Sequence, residues 1–257
     1  MKRLKDQINR KRMNILSFRR KLKIFATVPP TDIAHLKPAF KCTKRWYGNS
    51  YGGFYIHPGL LHEDSIIYSF GIGKDISFDK RMMKNHQCQI FAFDPTPKSI
   101  SYIGNLPPDP RFHFFDFGIS DISGMERFFL PKNKKGVSGS MTFSHVLDQE
   151  DHLEVRMKSL WDIMQELGHD RIDVLKMDIE GSEYRVLKSI TETDIPVVQL
   201  LVEFHDRFFD GEIRSKQTVE LLKDKGFEIF AASLSYEEIS FINTKYVHEN
   251  ETPDSPP

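Results

Sequence analysis

The sequence predicts an α/β protein, a doubly wound and mainly parallel sheet covered by helices on both faces. Three observations predict it. Short apolar runs alternate with amphipathic stretches of helical length from residue 65 onward, the order expected of strand, helix and strand joined by right-handed crossovers. The first two runs end in turn signals, Gly71 after "SIIYSF" and Asp94-Pro95 after "CQIFAF". Acids and glycines collect at the run ends, where a sheet of this kind binds its ligands.

Ahead of the regular pattern, "TVPPTDIAHLKP" reads as a linker. "RWYGNSYGGFYIHPG" has the aromatic and glycine content of a short hairpin or covering loop. Its Trp46, Tyr47, Tyr51, Phe54 and Tyr55 suit either stacking on a sugar or a hydrophobic lid. "SIIYSF" (65–70) is the first strand of the sheet and "CQIFAF" (88–93) the second. Between them, "KDISFDKRMMKN" is a helix with Ile76, Phe78, Met82 and Met83 facing inward. "RFHFFDFGIS" (111–120) reads as the third strand, and "MERFFL" (125–130) as one that pairs near "DHLEVRM". The basic, Gly- and Ser-rich "PKNKKGVSGSMT" (131–142) between those two is expected to be a mobile surface loop. Its Lys132, Lys134 and Lys135 could then close over an acceptor. "SLWDIMQELG" is a helix ending at Gly168, followed by the strand "RIDVLKM", a helix around "EYRVLKSI" and the strand "VVQLLVEF" (197–204). After the helix "SKQTVELLKDKG", the runs "FEIFAAS" and "EISFIN" are close enough to pair antiparallel at the sheet edge.

The bulk properties agree with one sizeable domain. The chain has 257 residues, 39% apolar and 28% charged, and no stretch approaches the eighteen or so apolar residues of a membrane span. Its two cysteines, Cys42 and Cys88, have no metal-like spacing, so a reducing, cytoplasmic setting is expected. Net charge is zero but unevenly spread: residues 1 to 24 hold ten Lys or Arg against Asp6 alone. Leu4, Ile8, Ile15, Phe18, Leu22 and Phe25 recur there at nearly helical spacing. A basic amphipathic helix follows, either packed on the domain or in peripheral contact with a membrane, with nucleic acid a weaker expectation. The expected division is a basic helical segment and linker over 1–45, the catalytic domain over 46–246, and a disordered tail over 247–257 containing "HENETPDSPP".

The strand ends carry the chemistry. In "SFGIGKD", after Phe70, Gly71 and Gly73 remove side chains where the chain turns sharply, so a ligand can approach the backbone. The third glycine of a dinucleotide fingerprint is absent, since Ile76 stands there. Asp94 lies twenty-three positions after Gly71, a spacing at which an acid accepts hydrogen bonds from ribose hydroxyls; it also suits the cap of a "DPTP" turn. "DFGIS" ends the next run, where Gly118 and Ile119 could form a thin apolar edge for an adenine, with Asp116 as a polar partner.

These residues resemble a known family. "SFGIGKDISFD", "FAFDPTPKS", "GISD" followed by Gly124, and above all "VLKMDIEGSEYRVL" are similar to the FkbM family of S-adenosyl-L-methionine-dependent methyltransferases, over about Gly52 to Asn243. The resemblance implies a class I methyltransferase (Rossmann-like) fold with seven strands, the last antiparallel. It also implies methyl transfer to a hydroxyl of a small molecule or glycan, and cofactor binding at Gly71, Gly73 and Asp94.

Methyl transfer from a sulfonium needs an aligned acceptor oxygen and, for a hydroxyl, a base. Asp178, following "VLKM" beside the first strand, is placed to meet the cofactor's positive charge or the acceptor. Glu183 suits the first turn of the next helix, and Glu180, before Gly181, can point into the cleft. Glu203 and His205 in "VEFHD" fall at alternating positions beside the Asp178 end, with neutral His205 the preferred base. Asp178, Glu203 and His205 could alternatively hold a divalent metal, although no metal is expected. Two further readings remain: a nicotinamide-dependent oxidoreductase, and a non-catalytic binding protein using its basic N-terminus.

Overall fold

The structure is a computed structural model that describes residues 33–50, 52–131, 147–209 and 213–247. The expectations for residues 1–32, for the loop over 132–146 and for the tail beyond Val247 lie outside the described residues.

A two-stranded antiparallel hairpin comes first, β1 (Arg45–Tyr47) and β2 (Phe54–Ile56). The parallel units follow: β3 (Ile66–Phe70), α1 (Ser77–His86), β4 (Gln89–Phe93), α2 (Pro97–Gly104) and β5 (Phe112–Phe115). Next come β6 (Gly118–Ile119), β7 (Gly124–Pro131), β8 (Leu147–Lys158) and α3 (Leu160–Leu167). The chain then runs through β9 (Ile172–Met177), α4 (Glu183–Thr191), β10 (Val197–Glu203), α5 (Arg214–Asp224), β11 (Phe227–Ala232) and β12 (Glu238–Asn243).

Seven strands form the main sheet in the order β11, β12, β10, β9, β3, β4, β5. The run from β10 to β5 is parallel throughout, and β12 is antiparallel to both of its neighbours. This is the doubly wound sheet of the class I methyltransferase fold. The closing pair joins antiparallel at the sheet edge, and its last strand is the antiparallel one, as expected. β12 inserts between β10 and β11, because its fully buried face needs a neighbour on both sides while β11, partly exposed, takes the rim.

The third run also divides. β5 stops at Phe115, and Gly118–Ile119 leave the main sheet to pair with the end of β8, with β7 antiparallel on the other side of β8 as "MERFFL" and "DHLEVRM" suggested. Local signals set the helix ends. Ser159 Oγ accepts a hydrogen bond from Asp162 N at the start of α3, and Gly168 closes it at φ +70°, a left-handed cap that glycine reaches without a Cβ clash.

Two apolar layers flank the sheet. On one face Tyr68, Leu175 and Met177 pack with α3, α4 and α5 through Ile163, Val186, Leu187 and Leu222; on the other, Ile67 and Val174 pack with Phe78 and Met82 of α1 and with the hairpin's Tyr47, Phe54 and Ile56. Each such side chain contributes roughly 1.5–3 kcal/mol by leaving water. Tyr47 and Phe54 are fully buried, so these two cannot stack on a sugar, and the hairpin is a lid packed on α1. Its loop is tied to the β3–α1 turn, where Asn49 N donates to Ser77 Oγ (3.0 Å) and Asn49 Nδ2 to Asp75.

Candidate active site

The carboxyl ends of β3, β4, β9 and β10 meet at one rim. There β3 turns at Gly71 and passes hard against β9: a Cβ on Gly71, at φ +72°, would lie 1.7 Å from the carbonyl oxygen of Asp178. Glycine at 71 is thus required by strand packing. Gly73 differs, because its φ of +54° is also left-handed but a Cβ there would meet nothing within 4 Å, leaving open space over the backbone. The residues present fit a cofactor at this turn, with an uncovered backbone at the end of β3 and acids nearby to meet a cation.

Asp94, at the end of β4, is buried and bridges two loops. One oxygen accepts from Gly73 N (2.9 Å), the other from Thr96 N (2.9 Å) and Thr96 Oγ1 (2.6 Å). The turn-capping role read from "DPTP" is therefore realised. A carboxylate offers about four acceptor positions, and these bonds fill three of them. Beside it, Lys74 and the α2 residues Pro97, Lys98, Ser101 and Tyr102 line a cavity of about 440 Å³ that also includes Asn105 and Leu106.

The proposed adenine edge is differently occupied. The position of a Cβ on Gly118 lies 2.6 Å from the Met157 side chain, and Ile119 is buried. Asp116 is exposed and bonded to Arg156 at 2.9 Å, so its carboxylate already has a cation partner in solvent. Phe70 is likewise buried, its ring stacked on Phe93 at 4.5 Å, and it contributes backbone and not a free ring face.

A tight constellation surrounds His205. β10 ends at Glu203, so His205 sits two residues beyond the strand, before a single 3-10 turn (Asp206–Phe208). Asp206 pins that turn by accepting hydrogen bonds from Tyr184 Oη (2.9 Å) and Ser215 N (3.0 Å). Glu183, the first residue of α4, is wholly buried. Its Oε2 accepts from Gly181 N (2.9 Å), while its Oε1 accepts from His205 N (2.9 Å) and lies 3.1 Å from Nδ1. With Nδ1 so engaged, Nε2 faces Glu180 (3.4 Å), Asp178 (3.7 Å) and Glu203 (3.7 Å). Glu180 reaches it from a left-handed backbone, φ +52°, a conformation costly for a non-glycine residue and frequent at functional sites.

The electrostatics change the role expected of His205. Burial alone would lower its pKa, but Glu183, by charge and by hydrogen bond, and then Glu203 and Glu180 raise it to about 10. The imidazole is therefore protonated at neutral pH, not the neutral base read from the sequence. Burial and the nearby Asp178 push the Glu203 carboxyl up to about 8, against the opposing charges of His205 and Arg207. Asp178, Glu203 and His205 also have ligand atoms within 4.8 Å of one another, close enough to share one cation. Of the candidates read from sequence, the structure joins Asp178, Glu180, Glu203 and His205 directly. Gly71 joins them through the Asp178 carbonyl. Glu183, Asp206 and Arg207, which reaches Glu203 at 3.9 Å, were not singled out as site residues.

Sheet order, glycine turn and acid-lined rim together define a methyltransferase domain of the class I fold. The methyltransferase FkbM domain matches residues 63–229, and the chain belongs to that family, whose cofactor is S-adenosyl-L-methionine. Family membership sets aside the nicotinamide-dependent reading. The chain is 26% identical to the probable methyltransferase-like protein 24 of Homo sapiens, over 68% of this chain and 43% of that protein. It is 25% identical to the 2-O-methyltransferase NoeI of Sinorhizobium fredii, over 67% of this chain and 76% of that protein. It is 34% identical to the 31-O-demethyl-FK506 methyltransferase FkbM of Streptomyces tacrolimicus, over 35% of this chain and 34% of that protein. The match thus spans less than half the length of the human relative.

Proposed function

We propose that the protein is an S-adenosyl-L-methionine-dependent O-methyltransferase acting on a hydroxyl of a small molecule or glycan. The observation that carries this reading is the His205 constellation beside the Gly71–Asp178 contact, which puts proton-accepting groups at the cofactor end of the sheet. Two of the relatives bear names of O-methyltransferases, which supports oxygen as the acceptor atom. Bound cofactor supplies a methyl group on a sulfonium. The chain's part is to hold it at the open face of Gly73 beside Asp94, to meet its positive charge with Asp178, and to take up the hydroxyl proton.

That proton goes to the unit formed by Glu203 and His205, in which the Glu203 carboxylate is the acceptor and the His205 cation beside it, at 3.7 Å, holds it in place. A carboxyl raised to about 8 is well matched to proton transfer near neutral pH, through the fraction that is ionised there. Glu203→Gln is expected to lower the methyl-transfer rate at saturating cofactor by about a hundredfold or more, the usual worth of a positioned base. A rate near that of the wild type would remove the unit from the chemistry. The 4.8 Å spacing of Asp178, Glu203 and His205 favours one second reading, a shared divalent cation that orients the acceptor. The same assay in EDTA separates the two: undiminished turnover supports the base, while a loss reversed by magnesium supports the cation.

A further inference from the structure

The middle of the sheet holds a charge that the chemistry above does not use. Lys176 lies on β9, whose six residues are all buried, with only 4% of its surface exposed. Its neighbours in register are Ser69 of β3 and Leu201 of β10. Such a position takes an apolar residue at no electrostatic cost, whereas a buried ammonium loses several kcal/mol of hydration. α1, packed on this part of the sheet, carries a buried acid, Asp79, 1% exposed, which makes no ion pair with Lys176 within 4.0 Å. Burial pushes the Asp79 carboxyl up and the charge of Lys176 opposes that shift. Asp79 Oδ1 makes no hydrogen bond among the described residues, so a helix-stabilising bond does not account for both of its oxygens.

What Lys176 touches is informative. Its Nζ donates to the carbonyl of Phe70 at 3.5 Å and lies 5.7 Å from the centroid of the Phe54 ring in the hairpin lid. The Phe70 carbonyl also accepts from Asp178 N at 3.3 Å, and the next residue is Gly71, pressed against the Asp178 carbonyl. One lysine therefore sits beneath the single peptide where the cofactor turn, the acid rim and the lid come together.

We infer that Lys176 is a buried positioning residue that holds the Phe70–Gly71 peptide against Asp178 and so sets the cofactor turn, with the buried carboxyl of Asp79 offsetting its charge. This rests on the reading that places the cofactor at Gly71, Gly73 and Asp94. Neither residue touches the reacting atoms. Their effect is on cofactor affinity, and it is separable from folding because removing both charges together leaves no unpaired ion behind.

The test compares Lys176→Met, Asp79→Asn and the double variant by melting temperature, by S-adenosylhomocysteine titration and by steady-state kinetics. Lys176→Met is expected to melt earlier, and the double variant to recover most of that loss. The double variant should still bind S-adenosylhomocysteine about tenfold more weakly, the size of one hydrogen bond to a charged group. The KM for the methyl donor should rise in parallel while kcat changes little, and Lys176→Arg, which keeps the cation, should restore affinity. A folded double variant with wild-type affinity overturns the inference. Should the double variant not fold, hydrogen exchange in Lys176→Met decides: faster exchange of the Gly71 and Asp178 amides, with β5 unchanged, supports it, and unchanged rates overturn it. Gly73→Val guards the underlying reading, since its open face would be filled. Normal binding in that variant would sink the cofactor placement itself, whereas lost binding there beside normal binding in the double variant sinks only the positioning role of Lys176.

Discussion

The Glu183 carboxylate has two tasks, closing the Gly181 turn with one oxygen and holding both the backbone and the ring of His205 with the other. The sequence supports the first, because an acid in the first helical turn meets free N–H groups and a favourable dipole. It contains no sign of the second, since residue 205 is twenty-two positions away and reaches Glu183 only through the fold. The same contacts predict a pH dependence. A histidine whose folded pKa is raised stabilises the protein fully below its ordinary 6.5 and loses that contribution as pH rises through about 10. For Glu203 the folded state favours the protonated carboxyl, so stability also falls as pH climbs from 4.5 to about 8. The melting temperature should thus decline between roughly pH 5 and 10. The slope should be visibly shallower in Glu203→Gln. An equal slope in variant and wild type would refute the assignment of that proton to Glu203.

At the scale of elements, the β3–α1 turn separates two glycines that look alike in sequence. Gly71 is excluded from carrying a side chain by the backbone of β9, while Gly73 faces open space. Gly71→Ala is expected to destabilise the fold by about 2–4 kcal/mol, from a left-handed backbone and a clash that cannot relax without parting β3 from β9. Gly73→Ala, which meets no clash, should lose only about 1–2 kcal/mol, the cost of a left-handed backbone, yet lose affinity for S-adenosylhomocysteine. Calorimetry on the two variants checks both halves, and the opposite pattern would reverse the roles. The helices and most strands were legible because each has its own periodicity and caps, as in α1 with Phe78, Met82 and Met83 buried. The division of 111–120 into β5 and β6 was not. Both halves are apolar, and only their different partners, β4 and β8, set them apart.

For the molecule as a whole, the sheet order brings residues 71, 94, 178 and 203–205 to one edge. Binding to the folded state alone raises stability by about 2.7 kcal/mol at a hundredfold excess over Kd. S-adenosylhomocysteine should therefore raise the melting temperature of the full chain by several degrees, and no shift is what a non-catalytic binding protein would give. Among the described residues no helix is long and apolar enough to cross a membrane. By itself the sequence determined the α/β class, the run of strands and helices, the glycine turn and the acids at the strand ends. All of these follow from local periodicity, backbone freedom and short spacings. Only the tertiary structure decided that β12 lies inside the sheet and that Asp116 faces solvent. It also decided that Glu183 orients His205, and that His205 is a cation. A pKa and a strand's neighbours depend on which distant groups share a few ångströms of low-dielectric space, and no local pattern in the chain encodes that.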